Sequence, residues 1–159
     1  MIHWRPMVAA DLDRVNVIAN LIHLDYPESP AVFANRLHIF ADGCWMAQQE
    51  DGLALGYAIS HPGRVGHPPH LDCVLESLPN SADCLYLHDV ALLPQARGQG
   101  LSRAIVQHLE IVARRCALPR LALTSVSGSL PVWSRCGFVP HPCDDLDSYG
   151  TATYMIRSV

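Results

Sequence analysis

The stretch that decides the fold runs from Leu85 to Ser102 and reads LYLHDVALLPQARGQGLS. Its first half is apolar except for one polar pair, and Pro94 follows it. This pattern predicts a buried β-strand over Leu85–Leu93. Apolar residues then recur at helical spacing over Leu101–Ala117, and a second strand is predicted over Arg120–Val126. Strand, glycine-containing turn, helix and strand together predict a βαβ unit with a right-handed crossover.

Outside this unit, hydrophobic periodicity predicts elements of both kinds. The predicted strands are His3–Val8, Cys44–Gln48, Leu53–Ser60, Phe138–Val139 and Gly150–Arg157, and the predicted helices are Asp11–Leu24, Ala31–Phe40 and Ser129–Cys136.

The segment His61–Asp83 fits neither period and carries four prolines. We predict an irregular loop, with one short helix near Leu71–Leu78, and loops of this length are usually functional or mobile. Its His67, His70 and Cys73 suggest zinc, but a second pair of ligands with zinc spacing does not follow. The pattern favours a proline-rich surface loop and no metal, with a zinc site as the alternative.

Composition sets the outer limits. The chain has 159 residues, of which 50% are hydrophobic and 16% are charged. This length predicts one domain over residues 1–159, and this composition excludes intrinsic disorder. Apolar runs fall short of the roughly 20 residues of a membrane span, and Met1–Pro6 does not resemble a signal peptide. We therefore expect no membrane partner and a cytoplasmic location.

The charged residues and cysteines narrow the partners further. A net charge of −4 argues against nucleic acid and slightly favours a cationic partner. All eleven basic residues are arginine, and the chain has no lysine. None of the six cysteines forms a CxxC pair, so we expect reduced thiols rather than a disulfide framework.

The turn over Pro94–Ser102 has the physics of a phosphate cradle. Gly98 and Gly100 allow backbone conformations that direct successive amides toward an anion, at the positive end of the following helix. Arg97 can add a charged fork to one phosphate. The turn lacks the Gly-Lys-Ser/Thr of a P-loop and the acidic partner of a dinucleotide fingerprint. On this motif alone, glycines that serve only turn geometry remain an equal alternative.

Two separated motifs resemble the GNAT superfamily of acetyl-CoA-dependent N-acetyltransferases. Gln95–Gly100 matches its Gln/Arg-x-x-Gly-x-Gly/Ala signature, although Ser102 replaces the last glycine of the extended form. Trp133–Phe138 fits its aromatic-x-x-x-Gly-Phe block, and the order of elements fits over the whole chain. The resemblance implies an α/β fold with a central mixed sheet that is splayed between strands four and five and flanked by helices.

The resemblance also implies acetyl-CoA as acyl donor. Backbone groups of Val90, Ala91 and Leu92 would bind the pantetheine arm, and the Leu92 N–H would hold the thioester carbonyl and the developing oxyanion. Trp133 would pack against the same arm. The pyrophosphate would be held by Arg97, Gly98, Gln99, Gly100, Leu101 and Ser102.

The implied reaction is direct attack of a primary amine, from a small molecule or a peptide, in a ternary complex. Such an amine has a pKa of about 10.4, so a general base must remove a proton. His88 is the first candidate and Asp89 the second. Adjacent strand side chains point to opposite faces, so only one should reach the cleft unless a bulge intervenes. The alternative for His88 is a hydrogen-bonded core histidine.

The general acid is where the chain departs from the family. Trp133 occupies the position of a tyrosine, and an indole cannot donate a phenolic proton. Ser127, Ser129, Tyr149, Tyr154 or water would replace it. This departure also supports a non-catalytic alternative, in which the fold is an acyl-CoA-binding sensor or docking module. Exposed apolar strand edges near the C-terminus further suggest a homodimer.

Overall fold

The chain folds into α-helices and β-strands in the computed structural model, which describes residues 1–126 and 128–159. The candidate acid Ser127 therefore lies outside the described residues. The strands are β1 Ile2–Pro6, β2 Cys44–Gln49, β3 Ala54–Gly63, β4 Cys84–Leu92, β5 Arg120–Ser125, β6 Val139–Pro140 and β7 Thr153–Ser158. The helices are α1 Leu12–Ile22, α2 Pro30–Ile39, α3 Leu101–Arg115 and α4 Leu130–Arg135.

The strands form one mixed sheet in the order β1-β2-β3-β4-β5-β7-β6, with β4 and β5 parallel at its centre. The parallel pairing stops at Leu87 opposite Leu123, although β4 continues to Leu92 and β5 to Ser125. Beyond that point the two strands diverge. The predicted α/β fold with a splay between the fourth and fifth strands is confirmed.

A β-bulge interrupts the pairing of β3 with β4. Ile59 pairs with Asp89 and the next residue, Ser60, pairs with Leu87, so His88 is an extra residue in β4. A bulge suspends the strict alternation of side chains. His88 and Asp89 consequently both contact the cavities at the splay.

Helix α3 packs on the sheet with the predicted apolar face, because Ile105, Leu109 and Val112 are buried. The first turn of α3 is anchored by the edge strand β1, because the indole N–H of Trp4 donates to the Leu101 carbonyl at 3.0 Å. This buried hydrogen bond fixes where the phosphate-cradle turn ends and the helix begins.

The predicted helix near Leu71–Leu78 is wrong, since the segment forms turns and bends. The amide side chain of Asn35 exchanges two hydrogen bonds of 2.9 Å with the backbone of Leu75, and Arg36 donates to the Cys73 carbonyl at 2.9 Å. Side chains of α2 thus satisfy backbone groups that a helix would pair internally. The irregular segment is also shorter than predicted, because β3 extends to Gly63.

Candidate active site

The splay opens a cavity of about 420 Å³ between β4 and β5, with Trp133 of α4 on its wall. A second cavity of about 430 Å³ lies at the start of α3. Leu92, Arg97, Ser102 and Val132 line both, so the two form one continuous cleft. Its two ends are the predicted phosphate cradle and the polar residues of the β4 bulge.

One side of the cleft is the free edge of β4. The Leu93 amide donates to the Leu55 carbonyl of the β3 side at 2.8 Å. Successive amides of a strand point to opposite edges. The amides of Leu92 and Val90 therefore point toward the diverging β5 side, where a ligand can reach them. By the same alternation the Ala91 amide points toward β3, and a contact of Ala91 with the pantetheine arm stays a prediction.

Gly56 sets the position of this edge. A Cβ at Gly56 would lie 2.6 Å from the Ala91 carbonyl oxygen and 2.6 Å from a Leu92 methyl carbon. We expect Gly56→Ala to push β4 away and to lower the free energy of unfolding by about 1–3 kcal/mol, measured by urea denaturation. Gly63→Ala in the same strand is the control, since its Cβ would meet Tyr86 at an ordinary 3.4 Å. Equal stability of the two variants would contradict this account.

The turn before α3 has the backbone that a cradle needs. Gly98 and Gly100 have φ of +74° and +75°, the left-handed region that glycine tolerates. The first-turn amides of α3 have no acceptor within the helix and lie at its positive end. The Arg97 Nε donates to the Leu92 carbonyl at 3.2 Å. The Gln99 side chain donates to the Gln95 carbonyl at 3.0 Å, so it is bound within the turn itself.

The candidate acids differ in whether they reach the cleft. Ser129 lines the cavity of about 420 Å³ between β4 and β5, which we call the larger splay cavity, and its hydroxyl donates to the Val126 carbonyl at 2.7 Å. Tyr149 lines a separate cavity of about 40 Å³ and donates to the Pro69 carbonyl at 2.7 Å. The Tyr154 hydroxyl accepts from the Gly66 amide at 2.9 Å, within a separate buried cluster. Of the candidate acids among the described residues, Ser129 is therefore the one that lines the larger splay cavity.

Two histidine–carboxylate pairs cross between β4 and the loop that joins α1 to α2. The His23 Nε2 lies 2.6 Å from the Asp89 Oδ1, and the His88 Nε2 lies 2.8 Å from the Glu28 Oε1. Each element contributes one imidazole and one carboxylate, and we call these four residues the crossed pairs. The Tyr57 hydroxyl of β3 donates to the other Asp89 oxygen at 2.5 Å.

The family is decided by a match of residues 13–138 to the model of the Acetyltransferase (GNAT) family. The chain belongs to the GNAT family. The resemblance inferred from the two sequence motifs is thereby confirmed. A search of curated proteins finds no match to the chain.

Solved structures share the fold of this GNAT chain. Ard1 from Thermoplasma volcanium is 15% identical with a TM-score of 0.75, over 99% of this chain and 97% of that one. The ribosomal-protein-S18-alanine N-acetyltransferase from Escherichia coli is 18% identical with a TM-score of 0.71, over 100% and 94%. A phosphinothricin acetyltransferase from Sinorhizobium meliloti, solved with acetyl-CoA, is 22% identical with a TM-score of 0.68, over 99% and 88%.

In this GNAT chain the pair of His23 with Asp89, and the Tyr57 hydroxyl bound to it, have shifted pKa values. Burial raises the pKa of Asp89, but the charge and hydrogen bond of His23 outweigh burial and hold it below its ordinary value. Burial lowers the pKa of His23, and the charges of Asp89 and Glu28 outweigh that effect and raise it. Burial and the nearby Asp89 raise the pKa of Tyr57 well above its ordinary value. At neutral pH Asp89 is therefore an ionised acceptor and Tyr57 a phenol donor.

Sequence reasoning missed His23 and Glu28. His23 lies near the end of the helix predicted over Asp11–Leu24 and directly follows α1, and Glu28 lies shortly before α2, so neither interrupts a predicted element. The signal that could have found them is a pair of titratable residues at the junction of two predicted helices.

The zinc alternative concerns His67 and His70, which lie in the loop between β3 and β4. His67 pairs with Asp144 at 2.6 Å, and His70 lies 3.6 Å from Asp145, all at the surface. Among residues 1–126 and 128–159, no three histidine, cysteine or acidic side chains are grouped so that they could hold a metal ion. None of the helices in those residues has the length and apolar character that crossing a bilayer needs.

Proposed function

We propose that this protein transfers an acetyl group from acetyl-CoA to a primary amine of a small molecule or peptide, by direct attack in a ternary complex. The observation that carries this proposal is the continuous cleft from the glycine turn of α3 to the crossed pairs. The free Leu92 amide lies between these ends.

The residues of the cleft suit acetyl-CoA. The first-turn amides of α3 and the guanidinium of Arg97 would bind the pyrophosphate, and the edge amides of Val90 and Leu92 would bind the pantetheine arm. Trp133 offers a flat apolar wall to that arm. The pyrophosphate ligands in this proposal are Arg97, Gly98, Gln99, Gly100, Leu101 and Ser102.

The Leu92 amide is the proposed donor to the thioester carbonyl oxygen. Negative charge develops on that oxygen when the amine adds, and one such donor contributes about 3–4 kcal/mol in comparable sites. The new bond joins nitrogen to the acetyl carbon, and the bond from that carbon to the CoA sulfur breaks. The nitrogen gives up its second proton as that bond breaks, and Ser129 or water relays this proton to the thiolate, so that CoA leaves as the thiol.

The other end of the cleft favours a cationic acceptor. Asp89 and Glu28 place two carboxylates beside the splay, and both line the smaller cavity of about 40 Å³. An ammonium group would be attracted there and must lose a proton before it can attack. In this proposal that proton passes to the crossed pairs, which include His88 and Asp89 of the bulge.

Thiol release tests this proposal against the sensor alternative. The purified protein is mixed with acetyl-CoA and with propylamine, putrescine or trialanine, and free CoA thiol is measured. We expect release on at least one amine, with acetylated amine formed in equal amount. Binding of CoA without release from any amine would instead support the acyl-CoA sensor that Trp133 suggests.

His88 provides a second discrimination. We expect His88→Ala to lower the rate of release at least tenfold, because it leaves Glu28 without its imidazole partner and loosens the bulge. The matched control is His67→Ala, which breaks a histidine–aspartate pair on the surface, away from the cleft. A rate for His88→Ala equal to that of the control would argue against a role of the bulge in the reaction.

A further inference from the structure

The two imidazoles of the crossed pairs differ in their access to the cleft. The His88 side chain is 0% exposed, whereas the His23 side chain is 21% exposed. The His88 Nε2 is held by Glu28, and its Nδ1 is buried without a hydrogen-bond partner among the described residues. A substrate amine cannot reach the His88 ring without displacing its surroundings.

His23 stands where two cavities meet. Together with His88 and Asp89 it lines both the cavity between β4 and β5, which continues to the phosphate cradle, and the smaller one, and of the two imidazoles the His23 ring is the exposed one. The smaller cavity is walled by Tyr26, Leu71 and Tyr149, which come from loops on the acceptor side. A group between these cavities lies between the proposed thioester and the proposed entrance of the amine.

Hydrogen bonding prepares His23 to accept a proton. Its Nε2–H donates to an Asp89 carboxylate that also accepts from Tyr57, so the carboxylate and the ring are held from two strands. This arrangement fixes the tautomer in which the His23 Nδ1 carries the lone pair. That nitrogen makes no hydrogen bond to residues 1–126 or 128–159, so it can accept one from a ligand.

Within the proposed acetyl transfer, on which this step rests, we propose that His23 is the general base. The His23 Nδ1 takes one proton from the ammonium of the acceptor, and the neutral nitrogen then attacks the acetyl carbon. Asp89 acts as a positioning residue and stays ionised. The His88–Glu28 pair holds the loop between α1 and α2 against the bulge, where the Glu28 carboxylate also accepts from the Asp72 amide at 2.9 Å.

The decisive comparison uses two kinds of nucleophile. An alkylamine needs a base because it is protonated at neutral pH, whereas hydroxylamine is largely unprotonated and does not. We expect His23→Gln to lower kcat/KM 10²- to 10⁴-fold on the best alkylamine of the panel. The loss on hydroxylamine should stay below tenfold. His67→Gln is the control, and it should match the unaltered protein on both.

The outcomes separate this inference from the proposed function. Equal losses on the alkylamine and on hydroxylamine, or no loss on either, would overturn His23 as the base while acetyl transfer stands. Absence of thiol release from any amine by the unaltered protein would overturn the proposed function and this step with it. Thermal unfolding checks that His23→Gln is folded, and His23→Asn repeats the comparison if it is not.

The pH profile tests the positioning role of Asp89. Groups that face His23 include Asp89 of β4, Glu28 and Tyr26 of the following loop, His88 of the bulge and Tyr149. Removing the Asp89 charge lowers the pKa of His23, so Asp89→Asn should move the acidic limb of kcat/KM to lower pH. A limb that stays in place would overturn the coupling of Asp89 to the base.

Discussion

Gly100→Val is expected to weaken CoA binding at least 100-fold while the fold remains intact. Gly100 has φ of +75°, and a Cβ there would meet nothing within 4 Å. The cost is therefore conformational rather than steric, because a β-branched residue at positive φ costs about 1–3 kcal/mol. The turn can relieve this strain by rotating, and rotation would redirect the first-turn amides of α3 away from the pyrophosphate.

Isothermal titration with CoA measures this effect, and the chain offers a matched control. Gly52 in the turn between β2 and β3 has φ of +94° and equally open surroundings, but it is remote from the cleft. Gly52→Val should carry a similar backbone cost and keep the affinity for CoA. If Gly100→Val bound CoA as tightly as Gly52→Val, the phosphate cradle would be refuted.

His61→Phe is expected to remove most of the loss of stability that the protein undergoes in mild acid. His61 is buried in β3, and its Nε2 has no hydrogen-bond partner among the described residues. Burial lowers the pKa of His61 from 6.5 to about 3. The unfolded chain therefore binds a proton below pH 6.5 that the folded chain does not bind until about pH 3.

The sign follows from this difference in proton uptake. Below pH 6.5 the unfolded state binds the proton first, so the free energy of unfolding decreases as the pH is lowered, by up to about 1.4 kcal/mol per pH unit. Between pH 6 and pH 4.5 the contribution of His61 is about 2 kcal/mol. Phenylalanine keeps an aromatic ring at this position and does not titrate. From pH 6 to pH 4.5 the free energy of unfolding of His61→Phe should therefore fall by about 2 kcal/mol less than that of the unaltered protein.

Urea denaturation at the two pH values gives the measurement. The interval from pH 6 to pH 4.5 lies above the range in which protonation of Asp89, whose pKa is lowered, reduces stability. The same interval lies below the range in which His23, whose pKa is raised, gives up its proton and with it the stability that its charge contributes. The surface variant His67→Phe should keep the slope of the unaltered protein. A His61→Phe slope equal to that control would show that His61 is charged in the folded state.

The part of the fold that the sequence predicts well is the part where local pattern and tertiary role agree. Leu85–Leu93 is apolar because β4 is central, and Gly98 and Gly100 occur where φ is positive. The failed helix near Leu71–Leu78 is the opposite case. Asn35 and Arg36 of α2 bind its backbone, and such partners are distant in sequence, so the local sequence does not reveal them.

The candidate site is less predictable, because it depends on register and on loops. The bulge that brings His88 and Asp89 to the same cavities exists only in the pairing of β3 with β4, which no single-strand pattern contains. His23 and Glu28 acquire their roles by meeting that bulge from outside the sheet. The direction of each backbone amide of β4 likewise depends on which of them bonds to β3, as the Leu93 amide does with the Leu55 carbonyl.

The bulge at His88 also makes the length of β4 adjustable. Ile59 with Asp89 and Ser60 with Leu87 are consecutive pairs of the ladder, so the residue between them belongs to neither. A chain that lacked His88 would keep both pairs and the buried strand around them. A single codon deletion or insertion at this point would remove or add a titratable group at the end of the cleft, together with the buried contacts of its ring, and would keep the sheet pairing on either side. Evolution of acceptor choice in this sheet can therefore proceed by changes of length as well as by substitution.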